Sequence, residues 1–103
     1  HDPRNRTRAQ HRHGKAPEIF NNERYTLQAD TFSYGIVLWE IMTRQTPYKN
    51  MDSPQALMKY VTMEGGRPDL KLVPQECPPP FKALMIKCWD QDPSKRPDFK
   101  MIL

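Results

Sequence analysis

The sequence predicts a mostly α chain: a helical subdomain built round one buried central helix, and only part of a larger domain. Three observations lead there. Residues 30–44, DTFSYGIVLWEIMTR, carry apolar side chains at Phe32, Tyr34, Ile36, Val37, Leu38, Trp39, Ile41 and Met42, which go most of the way round a helix with Glu40 as the main interruption. A helix apolar on nearly all sides sits in the middle of something, and 103 residues supply little to cover it. Residues 79–89 read as a second, amphipathic helix, and no alternating pattern marks a sheet.

Charge divides the chain. The 16 Lys and Arg against 12 Asp and Glu give +4, and residues 1–15 alone hold Arg4, Arg6, Arg8, Arg12 and Lys15 against Asp2, again 5 − 1 = +4. A neutral body, residues 16–103, therefore carries a basic segment, residues 1–15, with almost no apolar content. Such a segment buries too little surface to offset its ordering entropy and is expected to be disordered or poorly ordered. Its arginines raise the question of nucleic acid, but no aromatic residue is interleaved for base stacking, and a solvated tail with no nucleic-acid partner is the expectation. His11 and His13 lack a further ligand for a metal. Cys77 and Cys88 match no metal spacing and read as buried or half-buried thiols of a reducing compartment. The longest apolar run, GIVLW, is too short to cross a bilayer, so no membrane contact is expected.

The elements follow in order. Pro17 fits a first helical position, with Glu18 in the first turn of a short helix. Asp30 is the expected N-cap of the central helix, and Arg44 suits its C-terminal end. A strand reading of YGIVLW competes, but the length, the cap and Met42 favour helix. Gly35, inside that helix, costs about 1 kcal/mol unless another backbone approaches closely there. Ser53-Pro54 is a cap followed by proline, opening a helix with Leu57, Tyr60 and Val61 on one face that stops near Gly65-Gly66. Residues 65–80 hold five prolines and are expected to lack regular structure. In the amphipathic helix Phe81, Leu84, Met85 and Cys88 share a face. A last helix is expected to begin at Phe99 and to be cut short by the end of the chain. Phe32, Ile36, Trp39 and Trp89 are the expected core.

One cation stands apart. Arg96 is fenced by Pro93 and Pro97, which fix the backbone around it. An arginine aimed in this way points to a carboxylate. Glu18, behind Ala16-Pro17, is held by the same kind of geometry, and a guanidinium meets a carboxylate with two parallel bonds. The alternative is two surface charges that never meet.

Ala16-Pro17-Glu18, then Asp30-x-Phe32-Ser33-x-Gly35 opening an apolar helix with Leu38-Trp39-Glu40, then Cys88-Trp89 and Asp92-Pro93-x-x-Arg96-Pro97, resemble the C-terminal half of a protein kinase domain. The order and separations are the family's, over residues 16–103, and the fold implied is a partial kinase C-lobe. The resemblance implies a structural pair between Glu18 and Arg96, and a brace from Asp30 to the catalytic loop. It leans to the tyrosine-kinase-like serine/threonine group, on GGRPDL followed by QECPPPF, with tyrosine specificity as the other possibility. In the intact domain it implies ATP and Mg2+ as cofactors, ATP-dependent phosphoryl transfer to a protein substrate, the remainder of the kinase domain as partner, and a cytoplasmic location, free or as part of a membrane receptor.

The chain departs from the family where chemistry is done. It has no glycine-rich phosphate loop, no His-Arg-Asp and no Asp-Phe-Gly, and QHRHGK stands where a substrate-positioning loop is expected. Alone it is therefore expected to bind no cofactor or metal, to hold no catalytic residue and to be inactive. The competing reading is a truncated, non-catalytic docking or decoy module that uses apolar surface left exposed.

Overall fold

The computed structural model describes residues 14–21 and 26–98. The basic segment up to residue 13, with His11 and His13, and the helix expected from Phe99 lie outside the described residues. Among the described residues four helices follow one another: α1 (Pro17–Phe20), α2 (Leu27–Thr43), α3 (Pro54–Met63) and α4 (Pro79–Cys88). Short 3-10 turns occupy Leu70–Leu72 and Pro93–Lys95, and no strand occurs among the described residues.

The centre is α2. Ala29, Thr31, Phe32, Ser33, Gly35, Ile36, Leu38 and Trp39 are all buried, which takes burial right round the helix in its middle turns. Its buried hydroxyls are satisfied within the fold: Thr31 Oγ1 donates to Leu27 O at 2.9 Å, and Ser33 Oγ to Gly14 O at 2.8 Å. Burial fades at the ends, where Leu27 and Ile41 are exposed. The expected cap is corrected here. The helix begins before Asp30, and Thr26 is its N-cap, with Oγ1 accepting from the Ala29 N–H at 3.1 Å. Threonine caps nearly as well as aspartate, and starting there adds a turn that buries Ala29. Asp30 falls in the first turn instead, its N–H bonded to Thr26 O at 3.1 Å. Arg44 closes the helix as a left-handed C-cap, φ 56°, rather than as a last-turn residue, and its N–H donates to Glu40 O at 2.7 Å.

Gly35 has the close neighbour that its position requires. A Cβ there would lie 2.9 Å from Cys88 Cβ and 3.0 Å from Met85 O, so α2 and α4 touch nearly backbone to backbone. The contact is made by the C-terminal half of α4 and the residue after it, with Met85, Cys88 and Trp89 buried and Leu84 half-buried. Phe81, expected on the same inner face, is 44% exposed in the first turn of α4, away from that closest approach.

Ser53 caps α3 through its Oγ, with Pro54 in the first turn. The helix ends at the glycine pair, as the sequence predicts: Gly65 takes the left-handed φ 64°, and the Gly66 N–H returns to Tyr60 O at 2.7 Å. The proline-rich stretch holds more order than expected. Asp69 Oδ1 accepts the Lys71 N–H at 2.9 Å and caps the Leu70–Leu72 turn, while Trp39 Nε1 donates to Asp69 O at 2.9 Å and ties the stretch to α2. Cys77 is half-buried and Cys88 buried, both as free thiols.

Candidate functional site

Arg96 is delivered by a loop that organises itself. Asp92 Oδ1 accepts from both the N–H and the hydroxyl of Ser94, at 2.9 and 2.8 Å, capping the Pro93–Lys95 turn. The Ser94 hydroxyl and then its N–H hold the Asp92 carboxyl below its ordinary range. Arg96 leaves the turn extended, φ −74° and ψ 148°, as a residue before proline should.

Its side chain is fully out of solvent and lies against Glu18. Nη1 donates to Glu18 Oε2 at 2.8 Å and Nη2 to Oε1 at 3.1 Å, a two-bond pair across 78 residues of sequence. The other donors go to carbonyls: Nε to Asp90 at 2.8 Å, Nη1 to Gln28 at 2.9 Å, and Nη2 to Gln91 at a long 3.5 Å. All five guanidinium N–H groups thus find acceptors. The Arg96 guanidinium also stacks 4.9 Å from the Phe32 ring centroid. One side chain therefore joins α1, the first turn of α2, the α2 core and the segment after α4.

The remaining sequence candidates lie close by. Phe32, Ile36, Trp39 and Trp89 are all buried. Asp30 is half-buried in the first turn of α2, two residues from the Gln28 carbonyl that Arg96 takes. No His-Arg-Asp stands in the sequence for it to brace.

Three participants have bonds that the sequence did not announce. Arg67 lies 4.8 Å from the same Phe32 centroid, so two guanidiniums attend one ring. Arg67 also donates to Trp89 O, Gly66 O and Gln91 Oε1, and its burial holds the guanidinium below its ordinary range. Gln91 continues the chain of bonds, its Nε2 donating to Val61 O at 3.1 Å and Thr62 O at 3.2 Å, so that α3 is tied to the segment after α4. Ser33 holds Gly14 through its hydroxyl. The signal for Arg67 was present: Arg67-Pro68 repeats the arginine-before-proline pattern of Arg96-Pro97.

This centre fastens separate parts of the fold to one another. The described residues bring together no three His, Cys, Asp or Glu side chains that fit a metal ion. The sequence has no glycine-rich loop to cradle phosphates. The described residues at this centre do not fit ATP or Mg2+. Among the described residues no helix is long and apolar enough to cross a membrane.

The chain is similar to known proteins over most of its length. A family profile described as protein tyrosine and serine/threonine kinase matches residues 4–103. Human mitogen-activated protein kinase kinase kinase 7 is 38% identical over 88 residues, 85% of this chain and 14% of that protein. The probable serine/threonine-protein kinase drkC of Dictyostelium discoideum is 43% identical over 88 residues, 85% of this chain and 11% of its own length. The probable serine/threonine-protein kinase roco7 of the same organism is 42% identical over 91 residues, 85% of this chain and 3% of its own length. The chain thus spans a small part of each of these relatives.

Proposed function

We propose a function from one premise: the chain belongs to the protein tyrosine and serine/threonine kinase family. Residues 16–103 serve as the C-terminal, substrate-side part of a kinase domain that transfers the phosphoryl group of ATP to serine or threonine of a protein substrate. Residues 1–15 precede that part. The partners of this unit are the remainder of the kinase domain, which supplies ATP and Mg2+ binding, and the protein substrate. The cytoplasm, free or beneath a receptor, is its place.

The observation that carries this reading is the buried clasp of Glu18 and Arg96, with its carbonyl acceptors and its Phe32 stack. Phosphoryl transfer depends on positioning and charge stabilisation, and the clasp holds the short helix α1 against the core. Asp30, in the first turn of α2, braces the catalytic loop of the intact domain. The serine/threonine preference rests on the printed names of the relatives above and on GGRPDL and QECPPPF. The chain alone, without the phosphate and magnesium motifs, transfers nothing.

The test is a chimaera of human mitogen-activated protein kinase kinase kinase 7 in which residues 16–103 replace the 88 matched residues. The chimaera is expected to phosphorylate a serine/threonine peptide and not a tyrosine peptide. The chain on its own is expected to give no incorporation with Mg-ATP. A folded chimaera without transfer, or transfer by the chain alone that an Asp30→Asn substitution abolishes, would overturn the proposal.

A further inference from the structure

At the C-terminal end of α2, the turn over residues 46–51, Tyr60 and the 67–72 stretch line an open cleft of about 380 Å3. Sites for small organic ligands run from roughly 300 to 1,000 Å3. The walls combine three aromatic rings, Trp39, Tyr48 and Tyr60, with two cations, Lys49 and Arg67, and one carboxylate, Asp69.

The charges do not cancel. Asp69 is committed to the backbone, capping its own turn through Lys71 N–H. Lys49 Nζ reaches a neutral partner, Gln45 Oε1, at 2.9 Å. Arg67 gives three of its five N–H groups to Trp89 O, Gly66 O and Gln91 Oε1, all neutral, and 5 − 3 leaves two without an acceptor among the described residues. Neither cation forms an ion pair among the described residues.

The wall is also held in an unfavourable form. Tyr48 takes φ 55°, in the left-handed region that a non-glycine residue seldom adopts. Its ring meets Tyr60 edge-on, with centroids 6.1 Å apart and planes at 82°. Its hydroxyl is buried with no hydrogen-bond partner among the described residues. Backbone strain and an orphaned polar group together mark places that a fold holds for function.

From this geometry we propose that the cleft binds a small aromatic carboxylate, its ring among Trp39, Tyr48 and Tyr60 and its carboxylate on Arg67 and Lys49. The carboxylate accepts the free guanidinium donors, the strongest kind of hydrogen bond open to them. Arg67 is half-buried and keeps its charge, so its attraction for a bound anion is screened less than at an exposed site. Aromatic walls also suit a quaternary ammonium, but two cations facing one committed carboxylate repel it.

The test uses the full chain with 15N label at the Trp indoles and the Arg Nε positions, titrated with phenylacetate and with its neutral counterpart phenylacetamide. Phenylacetate is expected to shift the Trp39 and Arg67 signals with a Kd of about 1 mM or tighter, a fair strength for so small a ligand. The Trp89 indole, which does not line the cleft, stays in place. Phenylacetamide binds at least about tenfold more weakly, for want of the charge-assisted bonds. Arg67 also supports the fold, so the variant is Lys49→Glu at an exposed position, which weakens phenylacetate at least about tenfold and leaves phenylacetamide unchanged. Equal binding of the two probes, indifference to Lys49→Glu, or no shift of Trp39 and Arg67 at about 20 mM phenylacetate would overturn the proposal.

Discussion

Replacing Glu18 with glutamine keeps the shape of the clasp and removes its charge. Arg96 retains the carbonyls of Gln28, Asp90 and Gln91 and the Phe32 stack. Its side chain, 0% exposed, is left without a counter-ion. Stranding one member of a buried pair costs about 3–5 kcal/mol, and the glutamine oxygen still accepts one bond, which puts Glu18→Gln near the lower figure. Arg96→Met costs more. It strands Glu18, whose 11% exposed side chain recovers some water, and it also strips donors from the Gln28 and Asp90 carbonyls, bonded at 2.9 and 2.8 Å. Each orphaned carbonyl costs about 1–3 kcal/mol, so Arg96→Met exceeds Glu18→Gln by at least about 2 kcal/mol. The Gln91 bond, at 3.5 Å, adds little. A domain of this size holds about 5–15 kcal/mol in all. The first variant should therefore unfold at clearly lower urea, and the second should fold poorly or not at all. Trp39 and Trp89, both buried, report the transition by fluorescence. Costs below about 1 kcal/mol for both variants would mean the pair behaves as an exposed one. Equal costs would mean the carbonyl bonds contribute nothing.

Three further outcomes follow from the packing of α2 on α4. Gly35→Ala gains about 1 kcal/mol of helix propensity but drives a methyl group to 2.9 Å from Cys88 Cβ; overpacking of about 1–3 kcal/mol should win, and a raised melting temperature would refute the close approach. Burial pushes the Cys88 thiol from 9.0 up to about 11. A thiol-specific reagent should therefore label Cys77 first and Cys88 only after unfolding. Because the folded value is the higher one, the stability due to the neutral thiol is fully present below pH 9.0 and is lost as the pH rises through about 11. Urea midpoints measured across that window should fall, and less steeply in Cys88→Ala.

What the sequence disclosed was local, or bracketed by proline. Ser53-Pro54 and Gly65-Gly66 announced both ends of α3 because capping is a matter of a few adjacent residues. Glu18 and Arg96 were legible because proline sits beside each, which narrows the directions their side chains can take. The start of α2 was misplaced because Thr26 and Asp30 lie about one helical turn apart, and both begin the same apolar pattern acceptably. Arg67 went unseen because two of its three acceptors are backbone carbonyls, which no residue letter announces. The cleft beside Tyr48 was beyond reach, since it needs a left-handed tyrosine and three separate stretches brought together. Phe81 had the right spacing for the core, but spacing does not say where along α4 the approach to Gly35 is closest.

The most direct test of the account looks at the guanidinium of Arg96 itself. In a 15N-labelled chain, a guanidinium clamped by Glu18 and three carbonyls should show separate, slowly exchanging Nη–H resonances that collapse in Glu18→Gln. A single averaged Nη signal in the unaltered chain, indifferent to Glu18→Gln, would show that the two ends of the chain are not clasped.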